Sequence, residues 1–434
     1  MQNEALQRAK GVRDFGPAEK IARNEIVETL RSVFELYGYN PIETPVLERY
    51  ELFASKFGIG QESDAMRETF KLTDQGNRQL VLRTEFTVPF ARFVGMNPQL
   101  RFPFKRYQMG TVFRDGPIKL GRYREFWQCD VDVVGVSSPT IDAEIMLLAN
   151  TVFQKLGLDI IIKINSRKVL NKILDFSGVP TEDQISTIIS IDKLDKIGED
   201  GVKKELLSKN IDENIADTVL STIALVGNNI ELLEKLENLI GKCEGIDELR
   251  TAISLADKFG NIVFTPSLAR GLAYYTGNVF EVYLKDQSQI SSSICAGGRF
   301  DGMIGGFIGD NAKYPAVGIS FGLETIFDAL KLINSDVTSK RNVSNVYIIP
   351  IGESMVSEAM KLAQILRENN ISTDVDFLGR KLNKNMEYAD SYGIPWVIIV
   401  GEDEAKEEKF SIKNMTTGEQ EKLTADKIIK KLQK

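Results

Sequence analysis

The chain has 434 residues, of which 43% are hydrophobic and 26% are charged, and its formal net charge is -7. This length exceeds what one hydrophobic core usually supports, so we expect two or three domains. The acidic balance argues against a general nucleic-acid coat, because such proteins neutralise phosphates with lysine and arginine. No apolar run is long enough to span a membrane, and the first residues lack a secretory-signal pattern, so the sequence predicts a cytoplasmic protein.

Histidine is absent from the chain, and there are three cysteines. Cys129, Cys243 and Cys295 lie far apart, so the sequence suggests neither a disulfide framework nor a zinc site of the CxxC kind. Without histidine, a Ser/His/Asp triad, an imidazole general base and a histidine-ligated zinc are all excluded. Any chemistry must therefore use carboxylates, arginine, lysine, substrate groups or bound ions, and no metal ligands can be assigned.

The first predicted helix begins at Ala18 and ends before Gly38, since glycine is typical of a helix C-terminus. Residues 40–45 carry two prolines around a short extended piece, which favours an edge or interface strand. Later runs of apolar, β-forming residues predict strands of one mixed, largely antiparallel sheet. These runs are 79–82, 105–113, 126–134, 277–283 and 316–321.

Leucine, isoleucine and charged residues dominate from about 168 to 259, with apolar positions at helical spacing. This pattern predicts a helical insertion (168–259) that divides a discontinuous sheet domain (1–167 and 260–333). A separate α/β domain is predicted over 341–434, where strands at 346–350, 372–377 and 395–400 alternate with helices. Its basic and acidic residues nearly balance, so contact with RNA would need a local patch such as Arg380, Lys381 and Lys384.

The densest group of polar residues is the segment FRDGPIKLGRYREFWQCDVD, which spans residues 113–132. It reads as two strands joined by a Gly/Pro turn. Arg114, Arg122 and Arg124 offer planar forks suited to phosphate, and Phe126 offers a face for a base. From spacing alone, a solvated hairpin with surface ion pairs is an equally good interpretation.

This segment resembles motif 2 of class II aminoacyl-tRNA synthetases, in the form found in histidyl-tRNA synthetases. The resemblance implies that Arg114 holds the α-phosphate of ATP and the carboxylate of histidine. It implies that Arg122 and Phe126 contact ATP, with Phe126 stacked on adenine. Gln128 would contact the bound amino acid, and Asp132 would receive a ring nitrogen of its imidazole.

Residues 82–92, LRTEFTVPFAR, are similar to the segment of that family which binds the amino group of histidine. Glu85 and Thr87 are the matching positions. Their spacing of two places both side chains on one face if the segment is extended, so that both could meet one ammonium group.

Residues 268–277, LARGLAYYTG, resemble a segment peculiar to histidyl-tRNA synthetases and usually written RGLDYYTG. Arg270 matches a catalytic arginine placed at the α-phosphate, and Tyr274 and Tyr275 match residues at the substrate. Ala273 stands where aspartate is typical, which removes a group that could orient its neighbours.

Residues 295–302 resemble the GGRYD turn of the family, where glycines let the backbone approach the substrate closely. Residues 316–326 resemble motif 3, a strand that runs into a helix at the ATP site. Thr325 stands where many class II enzymes carry arginine, so a cation for the distal phosphate is missing. Residues 10–15 and 38–45 resemble the opening of the family and its motif 1, which implies a homodimer.

The resemblance implies an α+β protein with a class II antiparallel sheet, flanking helices and a helical insertion, followed by a C-terminal α/β anticodon-binding domain. The implied reaction joins L-histidine to tRNA(His) with ATP and Mg²⁺, and needs no membrane. A non-catalytic relative is the alternative: the regulatory subunit of ATP phosphoribosyltransferase, or a sensor of uncharged tRNA. Thr325 and Ala273 favour that alternative, whereas Arg270, Tyr275 and the C-terminal module favour the enzyme.

Overall fold

The computed structural model describes residues 6–57, 64–118, 122–271, 274–309 and 314–433. The chain divides into two compact units. The first contains the residues up to Arg13 and Ile26–Leu330, and the second contains Asp14–Glu25 and Lys331–Lys434. The three domains expected from the sequence stay a prediction. Ala273 lies outside the described residues.

The first unit begins with a long helix and alternates short strands and helices up to a central hairpin. Its elements in chain order are α1 (Pro17–Leu36, whose first residues belong to the second unit), β1 (Asn40–Pro41), β2 (Leu47–Arg49), α2 (Tyr50–Phe57), α3 (Asp64–Arg67), β3 (Lys71–Thr73), β4 (Gln79–Leu82), α4 (Thr87–Met96), β5 (Phe104–Phe113), β6 (Glu125–Val134), α5 (Thr140–Lys155) and β7 (Ile160–Ser166).

Consecutive helices follow β7 before the chain returns to the sheet. They are α6 (Arg167–Ser177), α7 (Thr181–Ile191), α8 (Leu194–Ser208), α9 (Glu213–Ile223), α10 (Asn229–Ile240) and α11 (Glu244–Ala256). The returning elements are β8 (Ile262–Phe264), β9 (Asn278–Leu284), β10 (Cys295–Arg299), α12 (Met303–Ile308), β11 (Ala316–Gly322) and α13 (Leu323–Ile333).

The main sheet of the first unit has the strand order β1-β5-β6-β11-β10-β9-β7-β8. The outer pairs β1–β5 and β7–β8 are parallel, and the pairs between them are antiparallel. The prediction of a mixed, largely antiparallel sheet is therefore confirmed. So is the edge position of the proline-bearing strand β1.

Two predictions about this sheet are wrong. Strand β4 (79–82) pairs with β2 and β3 in a separate small sheet, because its hydrogen-bonding partners come from residues 47–49 and 71–73. Residues 295–299, predicted as part of a turn, form the interior strand β10. Glycine is required there by close packing: a Cβ on Gly297 would lie 2.0 Å from the carbonyl oxygen of Gly318.

One face of the main sheet is apolar and carries the core. Phe34 of α1 and Phe153 of α5 pack on Phe321 of β11, with ring centroids 5.4 and 5.7 Å away. Arg299 at the end of β10 is buried on this side, where its Nη2 lies 2.8 Å from Oδ2 of Asp142 in α5. This buried ion pair therefore joins β10 to α5.

The substitution Asp142→Asn is expected to lower the free energy of unfolding by about 3–5 kcal/mol, because it removes the carboxylate 2.8 Å from the buried Arg299 and leaves Asp301 at 3.9 Å. Urea unfolding followed by circular dichroism measures this loss. Asp247→Asn is the matched control: Asp247 also lies 2.8 Å from an arginine, Arg250, but its side chain is 71% exposed. We expect the control to cost less than about 1 kcal/mol, and equal losses would contradict the argument.

The second unit contains a sheet of order β13-β12-β14-β15-β16. Its strands and helices are β12 (Val346–Pro350), α14 (Val356–Glu368), β13 (Thr373–Val375), α15 (Leu382–Ser391), β14 (Trp396–Val400), α16 (Glu402–Glu407), β15 (Phe410–Asn414), β16 (Gln420–Leu423) and α17 (Ala425–Leu432). The predicted β-α-β alternation is confirmed, and strands β13, β12 and β14 are parallel.

No helix in the described ranges is long and apolar enough to cross a membrane.

Candidate active site

The second face of the main sheet is polar. Because side chains alternate along a strand, Gln128, Asp130 and Asp132 of β6 share one face, opposite Val131 and Cys129 in the core. Pairing places Ser320 of β11 beside Asp130. The motif 2 segment therefore contributes a row of polar side chains to this face of the sheet.

Asp132 is buried with a partner that the sequence did not reveal. Arg106 of β5 lies directly across from it, and Arg106 Nη2 lies 2.5 Å from Asp132 Oδ2. Arg106 is fully buried and its guanidinium stacks 4.4 Å from the centroid of Phe90. Burial raises the pKa of Asp132 to about 6, although Arg106 opposes the rise.

Asp130 lies next along the same face and accepts a hydrogen bond of 2.5 Å from the Ser320 hydroxyl. Burial, together with Asp132, raises the pKa of Asp130 to about 8, although Arg106 opposes the rise. Burial therefore favours the neutral form of both carboxyl groups, more strongly at Asp130, and the buried Arg106 opposes it at both.

Glycines on the neighbouring strands leave room for these side chains. A Cβ on Gly318 of β11 would lie 1.9 Å from Oδ1 of Asp132, and a Cβ on Gly298 of β10 would lie 2.9 Å from the ring of Tyr275. Any larger residue would displace the aspartate or the tyrosine. The glycines of the GGRFD segment thus serve close packing within the sheet.

Gln128 also lies on the polar face, opposite Gly110 and Gly322. Its buried Oε1 has no hydrogen-bond partner among the residues that the structure describes. A buried amide oxygen without a partner costs about 1–3 kcal/mol, so it is well placed to accept a hydrogen bond from a ligand.

Arg114 follows β5 directly. Its Nε donates to the carbonyl oxygen of Thr84 at 3.2 Å, and its guanidinium lies 5.0 Å from the ring centroid of Phe126. The side chain is accessible, yet surrounding protein reduces its hydration and lowers the pKa of its guanidinium, an effect that Glu85 opposes. Arg122, which is exposed, lies close enough to repel the Arg114 charge.

Glu85 and Thr87 do not form an extended segment, so the expectation that strand alternation places them on one face is wrong. Thr87 is the first residue of α4, and Glu85 caps that helix. The Glu85 carboxylate accepts the backbone N–H groups of Thr87 at 2.7 Å and Val88 at 2.8 Å. The helix N-terminus fixes the carboxylate, because it offers unpaired N–H donors.

Arg270 lies between β8 and β9, outside regular secondary structure. Its Nη1 lies 2.5 Å from Oε1 of Glu281 in β9, and its guanidinium is 5.8 Å from the ring centroid of Tyr275. Burial acts to lower the pKa of Arg270, but Tyr275 and Glu281 together raise it, so the group stays charged. The rings of Tyr274 and Tyr275 lie 4.6 Å apart, and burial raises the pKa of both hydroxyls.

The structure therefore gathers the residues singled out from the sequence around one polar surface. Glu85 interacts electrostatically with Arg114, Tyr274 and Asp132, and Arg270 interacts with both tyrosines. Sequence reasoning missed Arg106 and Glu281. Arg106 could have been singled out, because it is a charged residue within the run 105–113, which was expected to form a buried strand.

The motif 3 helix α13 is anchored to the motif 2 strand. Glu324, which is 3% exposed, accepts the backbone N–H of Trp127 at 2.9 Å. Thr325 is half-buried in the first turn of α13, and a Cβ on Gly322 would lie 3.1 Å from its hydroxyl oxygen. Thr325 therefore lies just after the end of β11, and its hydroxyl fills the space that a side chain at Gly322 would need.

Comparison with known proteins identifies the family. Residues 11–326 match the family model described as histidyl-tRNA synthetase, and residues 345–434 match the anticodon binding domain. The chain is 44% identical over 424 residues to histidine--tRNA ligase 1 of Bacillus cereus (strain ATCC 14579), covering 96% of this chain and 97% of that protein.

Solved structures agree with this match. The histidyl-tRNA synthetase of Nostoc sp. PCC 7120 superposes with a TM-score of 0.83 at 32% identity, covering 98% of this chain and 99% of that one. A Bacillus halodurans protein described as an ATP phosphoribosyltransferase regulatory subunit/histidyl-tRNA synthetase has a TM-score of 0.75 at 22% identity, over 92% of this chain and 99% of that one, and shares the fold. With its class II sheet, its polar site and these matches along nearly its whole length, the chain belongs to the histidyl-tRNA synthetase family.

Proposed function

We propose that this chain ligates L-histidine to tRNA(His) through a histidyl-adenylate. In the first step a histidine carboxylate oxygen attacks the α-phosphorus of ATP and pyrophosphate leaves. In the second step a hydroxyl of the terminal tRNA ribose attacks the histidyl carbonyl and AMP leaves. Neither step needs a nucleophilic side chain, which suits a protein that contains no histidine. Positioning and stabilisation of charge supply the catalysis.

The observation that carries the proposal is that two arginines interact electrostatically with nearby carboxylates and tyrosines. Arg114 interacts with Glu85 and Tyr274, and Arg270 interacts with Glu281 and both tyrosines. Arg114 and Arg270 bind the α-phosphate, and Arg114 also binds the histidine carboxylate. Both are charged; the Thr84 carbonyl oxygen holds Arg114, and Glu281 holds Arg270. Because a guanidinium has five N–H donors, each arginine keeps donors for an anion.

The amino acid lies between the helix cap and the polar face. Glu85 and Thr87 bind its ammonium group, and the two backbone bonds of Glu85 hold that carboxylate in place. Asp132 accepts a ring N–H of the imidazole. Gln128 supplies its Oε1, which has no hydrogen-bond partner within the described part of the chain, and Tyr274 and Tyr275 enclose the ring.

ATP is bound by Arg114, Arg122, Phe126 and Arg270, with adenine stacked on Phe126. Mg²⁺ accompanies the nucleotide and neutralises phosphate charge. In the described ranges, no group of three or more histidine, cysteine, aspartate or glutamate residues could hold a metal ion. That fits a cation held mainly by phosphates and water, as is usual for Mg²⁺.

The test is histidine-dependent exchange of pyrophosphate into ATP by the purified protein, followed by charging of tRNA(His). We expect exchange with histidine and none with other amino acids. Absence of exchange would favour a non-catalytic regulatory subunit or tRNA sensor, for which Thr325 is the main support. The match of residues 345–434 to an anticodon binding domain favours the enzyme over the regulatory subunit.

We also propose a cytoplasmic homodimer formed through the motif 1 segment. Strand β1 lies at the edge of the main sheet and β5 is its neighbour, so a second copy can approach the segment from outside. Sedimentation of the chain and of a Pro41→Asp variant tests this. A monomer at micromolar concentration in the parent chain would contradict the proposal.

Contact with tRNA is proposed at the loop between β13 and α15. Phe377 and Leu378 are 65% and 75% exposed there, beside the basic patch predicted from the sequence. Within that patch, Arg380 Nε lies 3.3 Å from the buried Asp376 and Lys384 Nζ lies 2.6 Å from Glu387, so their charge is partly offset. An exposed aromatic ring near lysines is typical of a surface that stacks an unpaired base.

We expect Phe377→Ala to lower kcat/KM for tRNA about fivefold to a hundredfold, because stacking on one base contributes roughly 1–3 kcal/mol. Pyrophosphate exchange should be unchanged. Val343→Ala is the control, since Val343 is 64% exposed in the same unit but precedes β12, at the opposite end of the parallel strands. Equal charging by the parent chain and Phe377→Ala would remove this loop from the tRNA surface.

A further inference from the structure

The stretch that carries Arg270, residues 265–277, is irregular where the structure describes it. It connects β8 to β9, and in its described part neither helix nor strand supports the arginine. A group that stabilises phosphoryl charge must be held to within a fraction of an ångström, and a long arginine side chain on a loop has many conformations. Its position must therefore come from contacts with other elements.

One contact holds the guanidinium. Glu281 lies in β9, on the polar face, between Lys163 of β7 and Ala296 of β10. Its Oε1 accepts from Arg270 Nη1 at 2.5 Å, and its Oε2 accepts from the Tyr283 hydroxyl. Both carboxylate oxygens are thus engaged, and the Glu281 side chain is only 15% exposed. A carboxylate fixed at both oxygens on a rigid strand presents one geometry to Arg270.

A second contact holds the backbone of the same residue. Arg167, the first residue of α6, donates from Nη2 to the carbonyl oxygen of Arg270 at 3.0 Å. The backbone N–H of Arg167 donates to the carbonyl oxygen of Gly277 at 2.8 Å, at the far end of the stretch. Arg167 is 9% exposed, so it ties the middle of this segment, at Arg270, to its far end from within the protein.

We propose that Glu281 and Arg167 are positioning residues that hold Arg270 for the α-phosphate, Glu281 by its carboxylate and Arg167 by the backbone. Glu281 occupies Nη1 of Arg270 and leaves the remaining donors of the guanidinium for an anion. It also supplies the counter-charge that lets an arginine stay at a partly buried site before ATP binds. This inference rests on the proposed function, because it assigns residues that act through Arg270.

The test compares Glu281→Gln with the parent chain in histidine-dependent pyrophosphate exchange. We expect kcat to fall roughly tenfold to a hundredfold, the value of one charge-assisted hydrogen bond. The KM for histidine should change less than about twofold, because Glu281 does not touch the amino acid. The isosteric amide keeps the volume of the site, so thermal unfolding should be close to that of the parent.

Together with Glu281→Gln, the variants Arg270→Lys and Arg270→Lys/Glu281→Gln complete a double-mutant cycle. If Glu281 acts through Arg270, Glu281→Gln has little further effect once the guanidinium is gone. If the two substitutions lower kcat independently, so that their effects multiply in the double variant, the inference is overturned. A parent-like kcat in Glu281→Gln would overturn it as well. If Glu281→Gln does not fold, Tyr283→Phe takes its place with an expected twofold to tenfold fall in kcat, and an unchanged kcat there overturns it. A parent chain without exchange would instead refute the proposed function itself.

Discussion

Replacement of Arg114 by alanine is expected to lower histidine-dependent pyrophosphate exchange by about 10²–10³-fold. A preorganised donor aimed at developing phosphoryl charge contributes that much in other enzymes, because it acts without reorganisation and away from bulk water. Arg114 meets the first condition, because its Nε is tied to the Thr84 carbonyl; its side chain is accessible, although surrounding protein reduces its hydration. The loss should appear mainly in kcat, since the charge develops in the transition state.

Arg114→Lys separates charge from geometry. Lysine keeps the positive charge but lacks the planar fork, so it cannot hold the Thr84 carbonyl and two substrate oxygens together. We expect it to recover less than about a tenth of the lost activity. Lys168→Ala is a control on the same unit, because Lys168 is a cation paired with Glu248 at 2.7 Å in the helical segment. Full activity in Arg114→Lys would show that a point charge is sufficient.

Asp132→Asn is expected to raise the KM for histidine roughly tenfold to a hundredfold by weakening a charge-assisted hydrogen bond to the ring. The same change removes the carboxylate paired with the fully buried Arg106 and leaves it only the coulombic attraction of Asp130 among the described acidic groups of this face, so the free energy of unfolding should fall by up to about 3–5 kcal/mol. The double variant Arg106→Leu/Asp132→Asn distinguishes the two effects. It removes both buried charges, so we expect stability to return while the KM stays high. Recovery of both the stability and the parental KM for histidine would mean that Asp132 acts only in folding.

The pH dependence follows from the same carboxyl. In the proposed function Asp132 accepts a ring N–H, and it does so most strongly when it is ionised; its pKa is raised to about 6. The KM for histidine should therefore rise by up to tenfold per pH unit below about pH 6, while the KM for ATP stays nearly constant. The imidazole of free histidine titrates near 6.5, so its protonation must be followed separately. NMR does this cleanly, because every imidazole signal in the sample comes from the substrate.

Local patterns singled out many of the residues that the structure brings together. Glu85, Arg114, Gln128, Asp132, Arg270 and the two tyrosines lie in segments whose residue order is itself informative. The alternation along β6 then correctly predicts which side chains share a face. Helix α1 and the β-α-β order of the second unit were predictable for the same reason, since periodicity within one segment reports its exposure.

Pairing between distant segments could not be read from the sequence. The Arg106–Asp132 pair depends on the register of the β5–β6 hairpin, and the Arg270–Glu281 pair depends on how an irregular stretch returns to β9. Strand β10 was missed because glycines are common in turns. Here Gly297 is needed where the backbone of Gly318 comes close and Gly298 where Tyr275 lies against the sheet, and that requirement is visible only in three dimensions.

The two faces of β6 have a consequence for folding. A slip of one residue in the pairing of β6 would turn Asp130 and Asp132 toward Phe34 and Phe153, and would bring Val131 and Val133 to the polar face. Such a misaligned sheet would bury ionisable groups among aromatic rings and expose valines. Correct strand alignment is therefore enforced by the same alternation that gathers the polar side chains of the candidate site. A chain with a stable core in this sheet has these side chains facing the right way before any ligand arrives.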